Sequence, residues 1–149
     1  TRLRDRFDYA FDGREGYRAT IAGYDLPADG VTIGDIAVRH VDQPHGYIYS
    51  SGFRFDLQGK SIAYATDFHE MTEAMIALYT GVDCLVIDAL RERPHPTHTH
   101  LAQTLEAIAR IRPGQAILTH MDNSMDYQTL RAVLPEGVEP GYDGLTVRI

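Results

Sequence analysis

The sequence has a single cysteine, no long apolar run and no surplus of positive charge, and each absence excludes a class of protein. Cys84 is the only cysteine among 149 residues, so neither a disulfide framework nor a thiolate-rich zinc site can form within the chain. No run approaches the about 18 apolar residues of a membrane helix. A net charge of −7 argues against a broad basic surface for extended nucleic acid.

What remains is the composition of one globular unit. With 44% hydrophobic and 23% charged residues, the chain can bury one sizeable core, and we predict a single soluble domain over residues 1–149. Cys84 lies in the apolar run Asp83-Cys84-Leu85-Val86-Ile87, which predicts a buried strand thiol. The polar N-terminal residues do not resemble a signal peptide, so the cytoplasm is the expected location, without membrane contact.

The order of patterns along the chain predicts a layered α/β arrangement. The first third is rich in β-branched and aromatic residues, and turn signals occur at 27–30 and 43–46. Strands and helices alternate in the remainder. The predicted strands are Tyr17 to Tyr24, Val31 to Val41, Gly46 to Leu57, Ser61 to Thr66, Leu85 to Ile87, Ala116 to Leu118 and Leu145 to Ile149. The predicted helices are Thr72 to Tyr79, Leu101 to Arg112 and Tyr127 to Leu134.

Three of the predicted strands are followed by a side chain that can bind metal. Asp67 follows the strand ending at Thr66, Asp88 follows Leu85 to Ile87, and His120 comes directly after Thr119. An aspartate after one strand is usually a turn former or a helix cap. Three such residues indicate a shared site, because strand ends in open α/β sheets converge on one edge.

The histidines favour a metal held by nitrogen and oxygen. The chain has 7 histidines, and neutral imidazole with carboxylate is a normal ligand set for zinc, manganese or iron. No His-Glu-x-x-His helix is present, so we expect the ligands to come from separate strands.

Five short stretches, in order, resemble the PhnP-like cyclic phosphodiesterases of the metallo-β-lactamase superfamily. They cover the chain from about Phe7 to its end. The stretches are His45-Gly46 with Ser51-Gly52-Phe53-Arg54; Tyr64-Ala65-Thr66-Asp67; Asp88-Ala89-Leu90-Arg91 with Pro94-His95-Pro96-Thr97-His98; Leu118-Thr119-His120-Met121; and Gly141-Tyr142-Asp143-Gly144-Leu145.

The resemblance implies a role for each matching side chain. His45 would bind one metal ion, Asp67 would bridge two and His120 would bind the second, with zinc or manganese favoured and a metal-bound hydroxide as nucleophile. His98, near the start of the helix at about His100, would approach the substrate phosphate and protonate the leaving oxygen. Its alternative role is helix capping with Thr97.

Further residues are assigned lesser roles. Asp88 and Asp143 would orient ligands or serve in turns, and Arg91 or Arg93 could contact the phosphate but could equally be solvated. His40 competes with His45, which is preferred because Gly52 follows it at the spacing of the family. The remaining histidines, His69, His95 and His100, are predicted to be surface or capping residues.

The His-x-His-x-Asp-His signature of the superfamily does not occur in this sequence. The family fold is an αββα sandwich with one sheet from each half, so we expect this chain to be the C-terminal half. Its start at Thr1 favours a fragment over a naturally reduced protein. Such a half would expose an apolar sheet face, which predicts pairing with the missing N-terminal half or homo-oligomers.

The sequence therefore predicts a metal-dependent hydrolase of a small cyclic or nucleotide-like phosphodiester, with two divalent ions in the complete enzyme and an inactive isolated chain. Two alternatives remain open. One is a non-catalytic binding or assembly module that retains the fold, and the other is a different superfamily chemistry such as thioester hydrolysis.

Overall fold

The computed structural model describes residues 2–149, which fold into five helices and seven strands. The helices are α1 Arg2–Arg6, α2 Asp8–Asp12, α3 Glu73–Tyr79, α4 Leu101–Ile111 and α5 Tyr127–Val133. The strands are β1 Val31–Ile33, β2 Ile36–His45, β3 Ile48–Leu57, β4 Lys60–Ala65, β5 Cys84–Asp88, β6 Gln115–Thr119 and β7 Val138–Pro140. This is the layered α/β arrangement that the sequence predicts.

All the strands belong to one mixed sheet in the order β1-β2-β3-β4-β5-β6-β7. Neighbours from β1 to β4 are antiparallel, and neighbours from β4 to β7 are parallel. Therefore β2, β4, β5, β6 and β7 run in the same direction. Their last residues, His45, Ala65, Asp88, Thr119 and Pro140, lie at one edge of the sheet, called the carboxyl edge below.

The core lies between the sheet and α3, α4 and α5. Successive parallel strands that are also neighbours place their connecting helices on the same face, because such crossovers are right-handed. In β4 only alternate residues are buried, whereas β5 is buried almost throughout and so on both of its faces, as expected for a strand in the middle of a parallel sheet. The fully buried members of this core include Met75, Tyr79, Leu85, Ile87, Ile111 and Leu118.

The opposite face of the sheet carries apolar side chains that remain partly exposed. Phe55 is the register partner of Ile62, and Phe53 is the partner of Tyr64. The exposed fractions are 37% for Phe55, 38% for Ile62 and 44% for Tyr64. The apolar sheet face predicted for half of a sandwich is therefore present.

Local signals set the helix boundaries. Thr72 is the N-cap of α3, where its side chain accepts a hydrogen bond from Met75 N at 3.3 Å. His100 is the N-cap of α4, where its backbone N–H donates to Gln103 Oε1 at 3.4 Å, in line with the predicted surface or capping role. Arg112 ends α4 in the left-handed conformation, directly before Pro113.

Among residues 2–149, no helix combines the length and hydropathy that a membrane crossing requires.

Some predicted boundaries were wrong. Residues 17–24 form no strand; Tyr17 makes one isolated bridge with Arg14, and no neighbouring strand supplies a ladder. The stretch from Val31 is divided by a turn at Gly34-Asp35. The predicted last strand, Leu145 to Ile149, is irregular, and β7 forms earlier because residues 138–140 pair with β6.

The turn predicted at residues 43–46 was also wrong in its position. The strand β2 continues to His45, and the turn comprises Gly46-Tyr47. Pro44 is tolerated because at that point β2 pairs only with β3. Gln43 consequently lies in the sheet and is fully buried.

Candidate metal centre

The carboxyl edge brings together most of the polar side chains singled out in the sequence. His45 ends β2, Asp67 follows β4 by two residues, and Asp88 ends β5. His120 directly follows β6. The loop between β5 and α4 adds His98, whose ring lies 4.7 Å from those of both His45 and His120, measured between centroids. The expected convergence of strand ends is therefore present.

Asp67 occupies the middle of this group. Its Oδ1 lies 4.0 Å from His45 Nε2 and 3.7 Å from His120 Nε2. Two ligand atoms about 2.1 Å from one zinc ion are about 3.4 Å apart at the tetrahedral angle and at most about 4.2 Å apart. Both distances lie between these limits, so Asp67 Oδ1 could share an ion with either imidazole at an angle wider than tetrahedral.

Backbone contacts fix the ring nitrogen that His45 presents. Its Nδ1 lies 2.7 Å from Thr97 O, which can only accept, so Nδ1 carries the proton. In the neutral ring Nε2 is then the nitrogen without a hydrogen, and it faces Asp67, as required of a ligand. Gly46 permits this approach: its φ is +61°, and a Cβ there would lie 2.7 Å from the Thr97 methyl carbon.

Asp88 orients His98 in a similar way. His98 Nδ1 donates to Asp88 Oδ2 at 2.9 Å, and the same oxygen accepts from Asp67 N at 3.1 Å. Burial raises the pKa of the Asp88 carboxyl, and the hydrogen bond from His98 only partly offsets this. Within residues 2–149, Asp88 Oδ1 is buried and has no hydrogen-bond partner.

These residues fit a divalent metal. Ligand atoms of His45, Asp67 and His98 lie within 4.8 Å of one another, and so do those of Asp88, His98 and His120. Imidazole and carboxylate are suitable donors for zinc or manganese. The buried Asp88 Oδ1, which has no hydrogen-bond partner among the described residues, offers a further oxygen that a cation could contact.

Two other candidates, Arg91 and Asp143, lie in loops that follow the carboxyl ends of β5 and β7. Arg91 donates to Arg93 O at 3.1 Å and to Pro94 O at 2.8 Å, so its guanidinium is engaged by its own loop. Asp143 lines the same depression as His120, but within the described residues its carboxylate makes no hydrogen bond. The phosphate contact of Arg91 and the orienting role of Asp143 remain predictions.

Three further histidines belong to neither ligand group found among residues 2–149, and one of them, His95, lies beside His98. His40 Nε2 lies 3.1 Å from Pro27 O, and His40 belongs to neither of the ligand groups found among residues 2–149. His69 lies near the turn after β2, where its Nδ1 is 3.2 Å from Gly46 N. The His95 ring is tilted against that of His98, with 5.2 Å between the ring centroids. Desolvation, followed by the positive charge of Arg91, lowers the pKa of His95.

Sequence reasoning did not identify the polar residues beneath Asp67, namely Gln43, Ser50 and Tyr79. Gln43 was assigned to a turn, and Tyr79 was only the end of a helix. The one available signal was Gly52, which belongs to the family-like stretch Ser51-Gly52-Phe53-Arg54 and lies against Gln43 and Tyr79.

Comparisons with solved structures identify the same fold in several proteins. A diphosphatase of the PhnP family is 26% identical, with a TM-score of 0.84 over 99% of this chain and 54% of its own. The metallo-β-lactamase fold protein YhfI from Bacillus subtilis is 15% identical, with a TM-score of 0.77 over 95% of this chain and 59% of its own. Zn²⁺-bound PqqB from Methylobacterium extorquens is 18% identical, with a TM-score of 0.63 over 78% of this chain and 52% of its own.

The chain thus spans little more than half the length of these three structures. None of the curated proteins compared with the sequence matches it. The resemblance to a PhnP-like metallo-β-lactamase fold is confirmed, and this fold implies binding of divalent metal. The family model of the β-lactamase superfamily domain matches residues 1–121, and the chain therefore belongs to that superfamily of hydrolase folds.

Proposed function

We propose that this chain supplies one side of the active site of a metal-dependent phosphodiesterase that cleaves small cyclic or nucleotide-like phosphodiesters. The observation that supports it best is the placement of Asp67 Oδ1 between His45 Nε2 and His120 Nε2, beside His98. The similarity to a PhnP-family diphosphatase favours a phosphate ester or anhydride over a thioester. The net charge of −7 favours a small substrate over extended nucleic acid.

In this proposal His45, Asp67 and His120 hold metal, and two divalent ions, zinc or manganese, are bound in the complete enzyme. A bound divalent ion would withdraw electron density from a phosphoryl oxygen and lower the pKa of a water molecule. Asp67 would offset the repulsion between the two cations through its negative charge. The chain alone provides too few ligands for both ions and is proposed to be inactive.

His98 is the proposed proton donor. Its Nδ1–H donates to Asp88, which leaves Nε2 directed away from that carboxylate. When His98 takes up a second proton, the Asp88 carboxylate stabilises the imidazolium. Nε2–H can then donate to a phosphoryl oxygen or transfer its proton to the leaving oxygen. Asp88 thereby sets both the orientation of the ring and its ability to carry charge.

The apolar face opposite the helices is proposed to be covered by further residues of the complete protein or by a second copy. Phe55, Ile62 and Tyr64 are each more than a third exposed. The similar solved structures extend well beyond the part that this chain matches, so further polypeptide on this face would fit their length. The additional metal ligands would come from the same source.

The test measures metal content and hydrolysis of bis(p-nitrophenyl) phosphate, on this chain and on a version extended at its N-terminus. Two substitutions on the same strand form a matched pair, His45→Ala at the carboxyl edge and His40→Ala outside it. We expect His45→Ala to weaken metal binding by about tenfold or more, whereas His40→Ala leaves it unchanged.

Three outcomes would contradict the proposal. Equal effects of the two histidine substitutions would remove His45 from the site. An extended protein that binds two metal ions but cleaves no phosphodiester would favour an assembly module, and cleavage of thioesters alone would favour the other superfamily chemistry.

A further inference from the structure

A chain of buried polar side chains lies directly beneath Asp67. Gln43 is fully buried in β2, and its Nε2 donates to Thr66 O at 2.7 Å and to Ser50 Oγ at 3.0 Å. Its Oε1 accepts from the hydroxyl of Tyr79 at 3.0 Å, and Tyr79 is fully buried in α3. This series of hydrogen-bonded side chains therefore crosses the core from α3 to the carboxyl edge.

The last side chain of the hydrogen-bonded series is Ser50, in β3. Its hydroxyl accepts from Gln43 and donates to Asp67 O at 2.8 Å. The hydrogen bonds thus run in one direction, from Tyr79 through Gln43 and Ser50 to Asp67, and the second amide hydrogen of Gln43 is donated to Thr66 O. The carbonyl groups on both sides of the Asp67 α-carbon are thus held by side chains from two neighbouring strands.

Asp67 needs this support because its backbone is in the left-handed region, with φ of +62°. A residue with a Cβ is strained in that conformation, which persists only where its surroundings impose it. Its N–H is also held, by Asp88 Oδ2 at 3.1 Å. The two peptide groups that flank the Asp67 α-carbon are thus held through three polar atoms, and the carboxylate faces His45 and His120.

We propose that Gln43, Ser50 and Tyr79 are positioning residues that hold the Asp67 carboxylate in the geometry required of a metal ligand. This inference rests on the proposed role of Asp67 as a ligand. If the network served only to satisfy buried polar groups, its loss would lower stability without a specific effect on metal affinity. If it positions Asp67, its loss weakens metal binding beyond any effect on folding.

Two serines permit a matched test in the full 149-residue chain. Ser50→Ala removes the hydrogen bond to Asp67, whereas Ser61→Ala removes a hydrogen bond to Asp83 at 3.0 Å, at the opposite end of β4. Zn²⁺ is titrated into each variant by calorimetry, and the metal-free proteins are unfolded in urea. We expect Ser50→Ala to weaken Zn²⁺ binding by about tenfold, and Ser61→Ala to lose stability without a change in affinity.

The same titration in an Asp67→Ala background separates the two proposals. We expect Ser50→Ala to have no further effect there, because it acts through Asp67. If Asp67→Ala itself leaves Zn²⁺ affinity unchanged, or the parent chain binds no Zn²⁺, the metal site is wrong and the positioning role falls with it. If Asp67→Ala weakens binding and Ser50→Ala does not, only the positioning role is overturned.

Tyr79→Phe provides a second variant. It deletes only the hydroxyl at the start of the hydrogen-bonded series, which is separated from the Asp67 backbone by Gln43 and Ser50. It should weaken Zn²⁺ binding in the same direction as Ser50→Ala and by less. If Ser50→Ala does not fold, an unchanged affinity in Tyr79→Phe overturns the positioning role.

Discussion

Gly52→Ala is expected to be one of the most damaging small substitutions in the chain. A Cβ at position 52 would lie 1.8 Å from Tyr79 Oη and 2.4 Å from Gln43 Oε1. Neither side chain can withdraw without breaking their hydrogen bond of 3.0 Å in the core. Overpacking costs about 1–3 kcal/mol, and each buried polar group left unsatisfied adds about 1–3 kcal/mol. With two such groups, the Tyr79 hydroxyl and Gln43 Oε1, we therefore expect a loss of roughly 3–9 kcal/mol, which is comparable to the whole 5–15 kcal/mol typical of a domain.

The measurement is urea unfolding followed by circular dichroism, with Gly59→Ala as the control. Gly59 has φ of +80° and no atom within 4 Å of an added Cβ, so alanine there carries only backbone strain of about 1–2 kcal/mol. In the double variant with Tyr79→Phe, the loss at Gly52 should be partly recovered, because the nearest clashing atom is gone. The reasoning is refuted if Gly52→Ala costs no more than Gly59→Ala, or if Tyr79→Phe adds to the loss.

Three further predictions concern the core, a helix cap and acid stability. Ile87→Ala, at a fully buried position in β5, should lower the free energy of unfolding by about 2–5 kcal/mol, and a loss below that of exposed Ile62→Ala would contradict the described core. Thr72→Ala should cost about 1 kcal/mol by removing the N-cap of α3, with Thr80→Ala at the other end as a comparison. Hydrogen bonds from the backbone N–H and the hydroxyl of Ser61 lower the pKa of Asp83 below 3.8, so its stabilising effect is present above that pH and lost as the pH falls through the lower folded value. The difference in urea midpoint between the parent and Asp83→Asn should therefore shrink below about pH 3.8, and a constant difference would argue against this assignment.

The strand ends were predictable because parallel topology and local sequence act together. Alternating elements from Ser61 onward indicate parallel strands, and these bring their carboxyl ends to one edge. The positions of Asp67, Asp88 and His120 follow from that rule without knowledge of any side-chain contact. The N-cap Thr72 was equally readable, since capping depends on residues only three apart.

Other features depend on contacts that no local pattern contains. Residues 17–24 have strand composition, but a strand exists only where a neighbour supplies hydrogen bonds, and none is near. The helices α1 and α2 have five residues each, too few to show a periodicity. The burial of Gln43 results from packing against Tyr79, 36 residues away, and a polar residue before a proline gives no sign of it.

The dispersed origin of the candidate ligands has a consequence for how metal would enter and leave. His45 ends β2, whereas Asp67 and His120 follow β4 and β6, and the segment between the first and last contains most of the sheet. An unfolded chain could not hold them together, so binding energy would become folding energy. An ion at the carboxyl edge would link the ends of β2, β4 and β6, and opening of any of these strand ends would speed its release. The rate of metal exchange would then report local opening of the sheet.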